Sequence, residues 1–480
     1  MTDTPQTHSP QVPHEGGFTR FLRATEIDSR LLGMAGALVL IWVCFHFYPS
    51  LDGFFKTAFG SLFRDEGSLG EAFSYLNPAT AWAAGDFLTP RNLWNLSVQT
   101  AYIGIMATGM VLVIITRNID LSVGSIMGMV GMYMGLLQVE YLAPVVGLGH
   151  PSLWIVSVIF CLAMGTLIGA FQGVLIAFLN IPSFIVTLGG LLVWRGAAFL
   201  VAGGRTIAPM DETFALLGGG SFGALGETGS WIFAVIACVF VVWAFLTGRK
   251  ARQKHGFAQR PVWAETFVIG LICAVIIGAT FVVNSYIWPK GNIEKYYASI
   301  GQELPECAKD NDTIYEGVCA SFGHGFAYPV LIMIAVAIGM TILMTRTRFG
   351  RYVFAIGGNP EAAALSGINT RAMTVKIFAL MGGLSGLAAV IGAARQNSAT
   401  NAMGQLDELY VIAAAVVGGT SLAGGVGTIY GAIIGALILT SLQTGMVLIG
   451  FGDGSYQRIV IGVALVLAVW LDIVYRKRVK

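Results

Sequence analysis

The stretch AYPVLIMIAVAIGMTILMT, residues 327–345, carries no charge and is followed at once by Arg346, Arg348 and Arg351. A helix needs roughly 20 apolar residues to cross about 30 Å of hydrocarbon. Arginines just beyond its end mark the cytoplasmic side. The pattern recurs along the chain, with apolar windows at residues 31–49, 93–116, 121–139, 153–178, 183–202, 231–247, 263–285 and 327–345. Further windows lie near 372–393, 409–425, 427–448 and 456–473. Gly418, Gly419, Gly424 and Gly425 interrupt the window at 409–425, which points to a broken or re-entrant segment. The fold class is therefore all-α, a polytopic transmembrane helix bundle of about 10–12 spans.

Composition agrees. Apolar residues make up 55% of the 480 and charged residues 11%, with a mean hydropathy of +0.73; a water-soluble domain of this size is far more charged. The net charge of +2 comes from Lys and Arg placed beside apolar segments, not from a stripe or block, so nucleic acid is not an expected partner. Those cations set the orientation. The loop with Arg249, Lys250, Arg252, Lys254 and Arg260 lies inside, as do the segment with Arg20, Arg23 and Arg30 and the tail with Arg476, Lys477, Arg478 and Lys480. With the arginines after residue 345 also inside, the number of spans is even and both termini are cytoplasmic. Residues 50–90, 203–229 and 286–326 then face outward.

Residues 1–25 are polar, with Pro and His, and read as a disordered cytoplasmic tail ahead of a transmembrane domain spanning 26–480. The outer insert at about 286–326 holds Cys307 and Cys319, a disulfide candidate if it meets an oxidising periplasm and the geometry permits. Cys44, Cys161, Cys238 and Cys273 sit in apolar runs as small hydrophobes. No metal site is indicated. A short echo links Val123-Gly-Ser-Ile-Met-Gly128 to Val426-Gly-Thr-Ile-Tyr-Gly431, each opening an apolar helix. Either an internal repeat or the convergence of glycine-rich packing faces produces such a match.

The inner loop at about 346–371 carries a compact helix signal. Asn359 suits a cap, Pro360 the first turn, Glu361 the positive helix end, and Gly367 a stop. On residues alone, an ordinary surface turn and a docking element for a cytoplasmic partner both fit. The run from Gly357 to Ile368, with Phe349-Gly350-Arg351 before it, resembles the coupling loop of ATP-binding cassette importer permeases of the ribose and xylose branch. Leu88-Thr-Pro-Arg-Asn-Leu93, Ile119-Asp-Leu-Ser-Val-Gly-Ser125, Ile181-Pro-Ser-Phe-Ile-Val-Thr-Leu188 and Val417-Gly-Gly-Thr-Ser-Leu-Ala-Gly-Gly425 are similar to the same branch, in order. The Pro182-Ser183-Phe184 block with the basic loop is most like permeases for xylose or several monosaccharides.

The resemblance implies a type II importer-like permease in a bacterial inner membrane, working with a second permease copy, cytoplasmic ATPase subunits and a periplasmic sugar-binding protein. It implies alternating-access import of a monosaccharide, xylose or a related pentose or hexose. Arg351, Asn359, Pro360, Glu361, Ala362, Ala363 and Gly367 fall on its ATPase-coupling loop. The chain has no Gly-x-x-x-x-Gly-Lys-Ser/Thr phosphate loop, so ATP and Mg are expected on the partner, with no cofactor and no catalytic residue here.

For the translocation path, Gln99, Gln172, Arg195 and Asn397 are the candidates, as polar groups in or near spans. Arg195 faces the path or snorkels; the amides bond a sugar or a neighbouring helix. Asp120 reads as a helix cap, and Trp94 with other span-end tryptophans as an interfacial belt. The rival class is an ion-coupled secondary sugar transporter, which requires carboxylates within the bundle. Asp120, Asp407 and Glu408 are expected near span ends instead.

Overall fold

The computed structural model describes residues 17–63, 68–305 and 322–479, so Cys307 and Cys319 lie outside the described residues. The helices, in chain order, are α1 (Gly17–Thr25), α2 (Ser29–Phe63), α3 (Leu69–Ser74), α4 (Pro78–Ala83), α5 (Pro90–Ile115), α6 (Val123–Leu136) and α7 (Ala143–Val146). Next come α8 (Pro151–Phe178), α9 (Ser183–Val201), α10 (Glu212–Ala215), α11 (Gly226–Lys254), α12 (Val262–Asn284), α13 (Lys290–Ile300) and α14 (Tyr328–Arg346). Then follow α15 (Arg348–Gly358), α16 (Pro360–Leu365), α17 (Thr370–Gln396), α18 (Asp407–Val417), α19 (Ile429–Leu448) and α20 (Gly454–Val479). Among the described residues, 10 helices are long and apolar enough to cross a membrane, and each coincides with a predicted window. The window at 409–425 is different. It holds only the 11-residue α18, with non-helical residues 397–406 before it and a glycine loop after it, as the glycine cluster anticipates. Residues 17–25 depart from the expected disordered tail, because they form α1.

The chain divides into two compact units. The larger contains residues 34–232 and 280–480. Its centre is α5 and α17, whose apolar windows are 89% and 83% buried, against 17% for α9. Trp94 belongs to this interior, not to an interfacial belt: it is 5% exposed and its indole N–H donates to the Gly325 carbonyl at 2.9 Å. The tightest packing is between α8 and α17. Gly165, Gly169 and Gly173 on α8 meet Gly382, Phe378 and Val375 on α17, and a Cβ on Gly165 or Gly169 would strike the carbonyl of Gly382 or Phe378. In lipid, where apolar burial does not drive helices together, such backbone contact supplies the packing energy. Gly169→Leu should cost at least about 1–3 kcal/mol through overpacking; a lowered thermal transition of the purified protein, with Gly189→Ala unaffected, checks this.

The smaller unit comprises residues 1–33 and 233–279. Here Phe21 of α1 packs edge-on against Phe267 at 5.4 Å and lies 6.0 Å from Trp263. Glu26 accepts two hydrogen bonds from Arg252, at 2.9 and 3.0 Å, and a further one from Arg260. The Arg252 and Arg260 hydrogen bonds hold the Glu26 carboxyl at about 2, well below the usual range. A carboxylate whose folded pKa is depressed stabilises the fold above its unfolded pKa, and that contribution is lost as pH falls through the folded value. Glu26 is 42% exposed and Arg252 37%, so solvent screens the pairs and the effect is small, under about 1 kcal/mol. Glu26→Gln should therefore increase proteolysis after α1 at pH 7, and the difference from the parent protein should vanish as pH drops from about 5 toward about 2.

Candidate functional site

A polar cavity of about 380 Å³ lies in the larger unit. Gln99 and Tyr102 of α5, Met127 of α6, Arg395 of α17, Asp407 of α18 and Gln443 of α19 line it, together with the unwound segment between Thr400 and Gln405. Two hydroxyl pairings fix the α5 to α19 wall. The Thr100 and Thr440 hydroxyls are 2.7 Å apart, and Thr444 donates to the Gln99 amide oxygen at 3.2 Å.

The cavity exists because residues 397–406 are not helical. Asn397 ends α17 in the left-handed region at φ 49°, and Leu406 re-enters it at φ 67°. Between them the chain runs along a glycine face of α6. Gly135 meets Ala399, Gly131 meets the Met403 side chain, Gly128 the Met403 carbonyl and Gly124 the Gly404 carbonyl. Arg195 of α9 donates to the carbonyls of Asn401 at 3.0 Å and Met403 at 2.8 Å. Its guanidinium is also within electrostatic reach of Glu408 and Asp407. Arg195 thus neither snorkels nor lines the cavity; it clamps the unwound backbone.

Of the four path candidates, only Gln99 lines the cavity. Gln172 is buried and accepts from the Ser122 hydroxyl at 3.0 Å, joining α8 to the start of α6. The Asn397 side chain accepts from the Met210 N–H at 3.1 Å in the outer seam. Asp120 accepts from the Ser122 N–H at 2.9 Å and hydroxyl at 2.6 Å, closing the turn that starts three residues before the helix rather than capping it directly. Asp407 and Glu408 correct the placement of carboxylates at span ends, because α18 is a short helix that starts inside the bundle: Asp407 walls the cavity and Glu408 is 4% exposed beside Gly124. Tyr102, Arg395, Gln443 and Asp407 escape the sequence reading of the path. Only an ionisable residue just past the end of an apolar run, at Arg395, signals any of them.

At the inner end the predicted coupling residues are held in two short helices. Thr347 begins α15, accepting from the Gly350 N–H, and Asn359 caps α16 by accepting from Glu361 and Ala362 at 3.0 and 3.1 Å. Pro360 takes the first turn and Gly367, at φ 87°, lets the chain turn away before α17. Arg351, Glu361 and Ala362 are exposed and Ala363 is buried beneath them. Leu365 projects with 90% of its surface exposed. Arg117, after α5, donates to the carbonyls of Gly357 at 3.0 Å and Gly358 at 2.6 Å. Gly425, in the loop joining α18 to α19, donates its N–H to Ile115 at 3.0 Å, and Gly357 is seated against both.

A family model described as "Branched-chain amino acid transport system / permease component" matches residues 92–251 and 259–469. The chain belongs to this family. It is a multi-pass permease component of the inner membrane. The xylose transport system permease protein of Escherichia coli K12 is 37% identical over 397 residues, 82% of this chain and 88% of that protein. The ribose import permease protein of the same strain is 32% identical over 387 residues, 81% and 87% of the two chains. Its inner membrane ABC transporter permease protein is 28% identical over 389 residues, 80% and 85%. No solved structure matches the chain. The similarity to sugar permeases thus extends across the bundle and is not confined to the inner loop.

Within this permease the Arg195 clamp is a partly buried contact that holds the unwound segment. Arg195→Met leaves two carbonyls without donors and should destabilise by about 2–3 kcal/mol, since hydrogen bonds to charged groups are the stronger ones. Arg195→Lys, which keeps a charged donor, should fall between Arg195→Met and the parent in a detergent melting series.

Proposed function

We propose that this chain is the membrane subunit of an ATP-driven importer that carries a monosaccharide, xylose or a related pentose or hexose, from periplasm to cytoplasm by alternating access. One observation supports it most. Four of the helices that wall the polar cavity also meet the inner loop: α5 through Ile115 and Arg117, α17 by direct continuation, and α18 and α19 through Gly425 in the loop that joins them. A push on α15 and α16 therefore reaches these four walls together.

The partners in this reading are a second copy of the permease, a pair of cytoplasmic ATPase subunits that hold ATP and Mg, and a periplasmic sugar-binding protein. Arg351, Glu361 and Leu365 face the ATPase. Leu365 is the apolar anchor, since an exposed leucine at the tip of a capped helix fits a pocket on a partner. The sugar passes through the cavity, where Gln99, Tyr102, Arg395, Asp407 and Gln443 replace its water hydrogen bonds.

Vesicles reconstituted with the chain and its partner subunits, charged with either ATP or an ion gradient, test this. Sugar uptake should follow ATP alone. Uptake driven by the gradient without ATP would favour the ion-coupled carrier, with Asp407 and Glu408 as its carboxylates. Leu365→Asp should lower ATP-driven uptake about tenfold or more without changing the melting temperature, as loss of an interface anchor does. Glu361→Ala should lower it by less and leave sugar affinity of the isolated binding protein unchanged.

A further inference from the structure

A second cavity, of about 530 Å³, opens on the outer side of the larger unit, between the loop joining α9 to α11 and helix α13. Its wall combines Glu212 and Thr213 of α10, Phe222 with the glycine turn around it, and Lys295 of α13. None of these residues belongs to the inner cavity or to the inner loop. The volume lies within the span of about 300–1,000 Å³ typical of small-molecule sites.

The turn is held rigidly from behind. Asn292 donates its amide N–H to the Ser221 hydroxyl at 2.8 Å, and that hydroxyl is 3.1 Å from Nε2 of His324. The His324 ring stacks on Tyr286 with centroids 4.1 Å apart and planes within 1°. Phe222 packs edge-on against Trp288 at 4.9 Å yet keeps 44% of its surface exposed. The Trp288 indole N–H is buried without an acceptor among the described residues. One turn links the two cavities: Leu216 lines the outer one, and Gly218, two residues on, sits directly on the backbone of Ala394 and Arg395, the latter a wall of the inner one.

We propose that the outer cavity is a binding site for a monosaccharide, where the permease receives the sugar before it enters the inner cavity. The assignment rests on the importer reading above. A sugar offers hydroxyls that both donate and accept, together with a flat C–H face. Glu212 accepts, Lys295 donates, Thr213 does both, and Phe222 presents the ring on which the C–H face stacks. Because Trp288 already fixes that ring, little ordering remains to oppose binding.

The test uses the full chain in lipid nanodiscs, titrated with radiolabelled xylose and ribose and, as a small zwitterion, leucine. Saturable pentose binding is expected, with none for leucine. Phe222→Ala and Lys295→Ala should each weaken it by about tenfold, while Phe222→Tyr, which keeps the ring, stays within about twofold. Both side chains are exposed, so the variants should melt as the parent does. A wild-type protein that binds no pentose, or binding indifferent to both substitutions, overturns the site; leucine bound in place of sugar overturns the substrate class. ATP-driven uptake in reconstituted vesicles separates the two levels. If uptake is present and its KM unmoved by Phe222→Ala, the outer site alone fails; if no sugar is carried under ATP, the importer reading fails, and the titration still decides the site.

Discussion

Unwound backbone inside a membrane bundle has to find its hydrogen-bond partners in protein, because hydrocarbon offers none. Residues 397–406 are such a segment, and the rest of the larger unit is arranged around meeting that demand. The α6 glycines, Gly124, Gly128, Gly131 and Gly135, let the unwound chain lie against a helix at backbone distance. Arg195 reaches across from α9 to take two of its carbonyls. A charged donor is the right tool here. One guanidinium offers several N–H groups in a fixed fork and satisfies carbonyls that no helix ladder reaches.

The cost of breaking the helix is also what makes a path. A continuous helix from 397 to 417 would present side chains alone, whereas the break places α18 short of the outer seam and opens the space that Gln99, Tyr102, Arg395, Asp407 and Gln443 surround. The same segment is then joined at its inner end to the loop that holds α15 and α16, through Gly425, Ile115 and Gly357. Packed interfaces of this kind have discrete arrangements and not a continuum, so a displacement at the inner loop is transmitted as a change of packing. The glycines serve both ends: they permit the close approach of α8 to α17, and they permit the contact of the inner loops.

The spans were legible because each is a long uncharged run, a signal that survives without any tertiary information. The interruption of the window at 409–425 was legible for the complementary reason, since four glycines cannot be absorbed into an ordinary span. The start and stop of α16 were written in Asn359, Pro360 and Gly367, whose effects are local. The cavity was not. Arg195, Gln172 and Asn397 are polar residues of the kind that line a path, but each is consumed by a partner distant in sequence: carbonyls 206 and 208 residues away, Ser122 and Met210. Hydropathy reports that a polar group needs a partner, and not which one. Helix α1 was missed because its stability comes from aromatic contacts with Trp263 and Phe267 and from the Glu26 ion pairs, all made more than 200 positions along the chain.

The buried carboxylates at Asp407 and Glu408 bear on which kind of transporter this bundle is. Acidic groups within a bundle commonly mark ion pathways. Here they stand beside Arg195 and at the first turn of α18, where unpaired helix N–H groups and a neighbouring guanidinium favour negative charge. Their position is accounted for by the architecture of the break: a half-helix that begins inside the protein exposes its positive end there, and acidic residues neutralise it. An ion-coupled mechanism would need those same groups to be free to exchange their counter-ion during the cycle. Arg195 is instead committed to two backbone carbonyls, so its guanidinium serves the segment that forms the cavity wall and is not an exchangeable counter-ion. The arrangement therefore favours a bundle moved from outside itself, by force on the inner loop, over one moved by an ion binding at its centre.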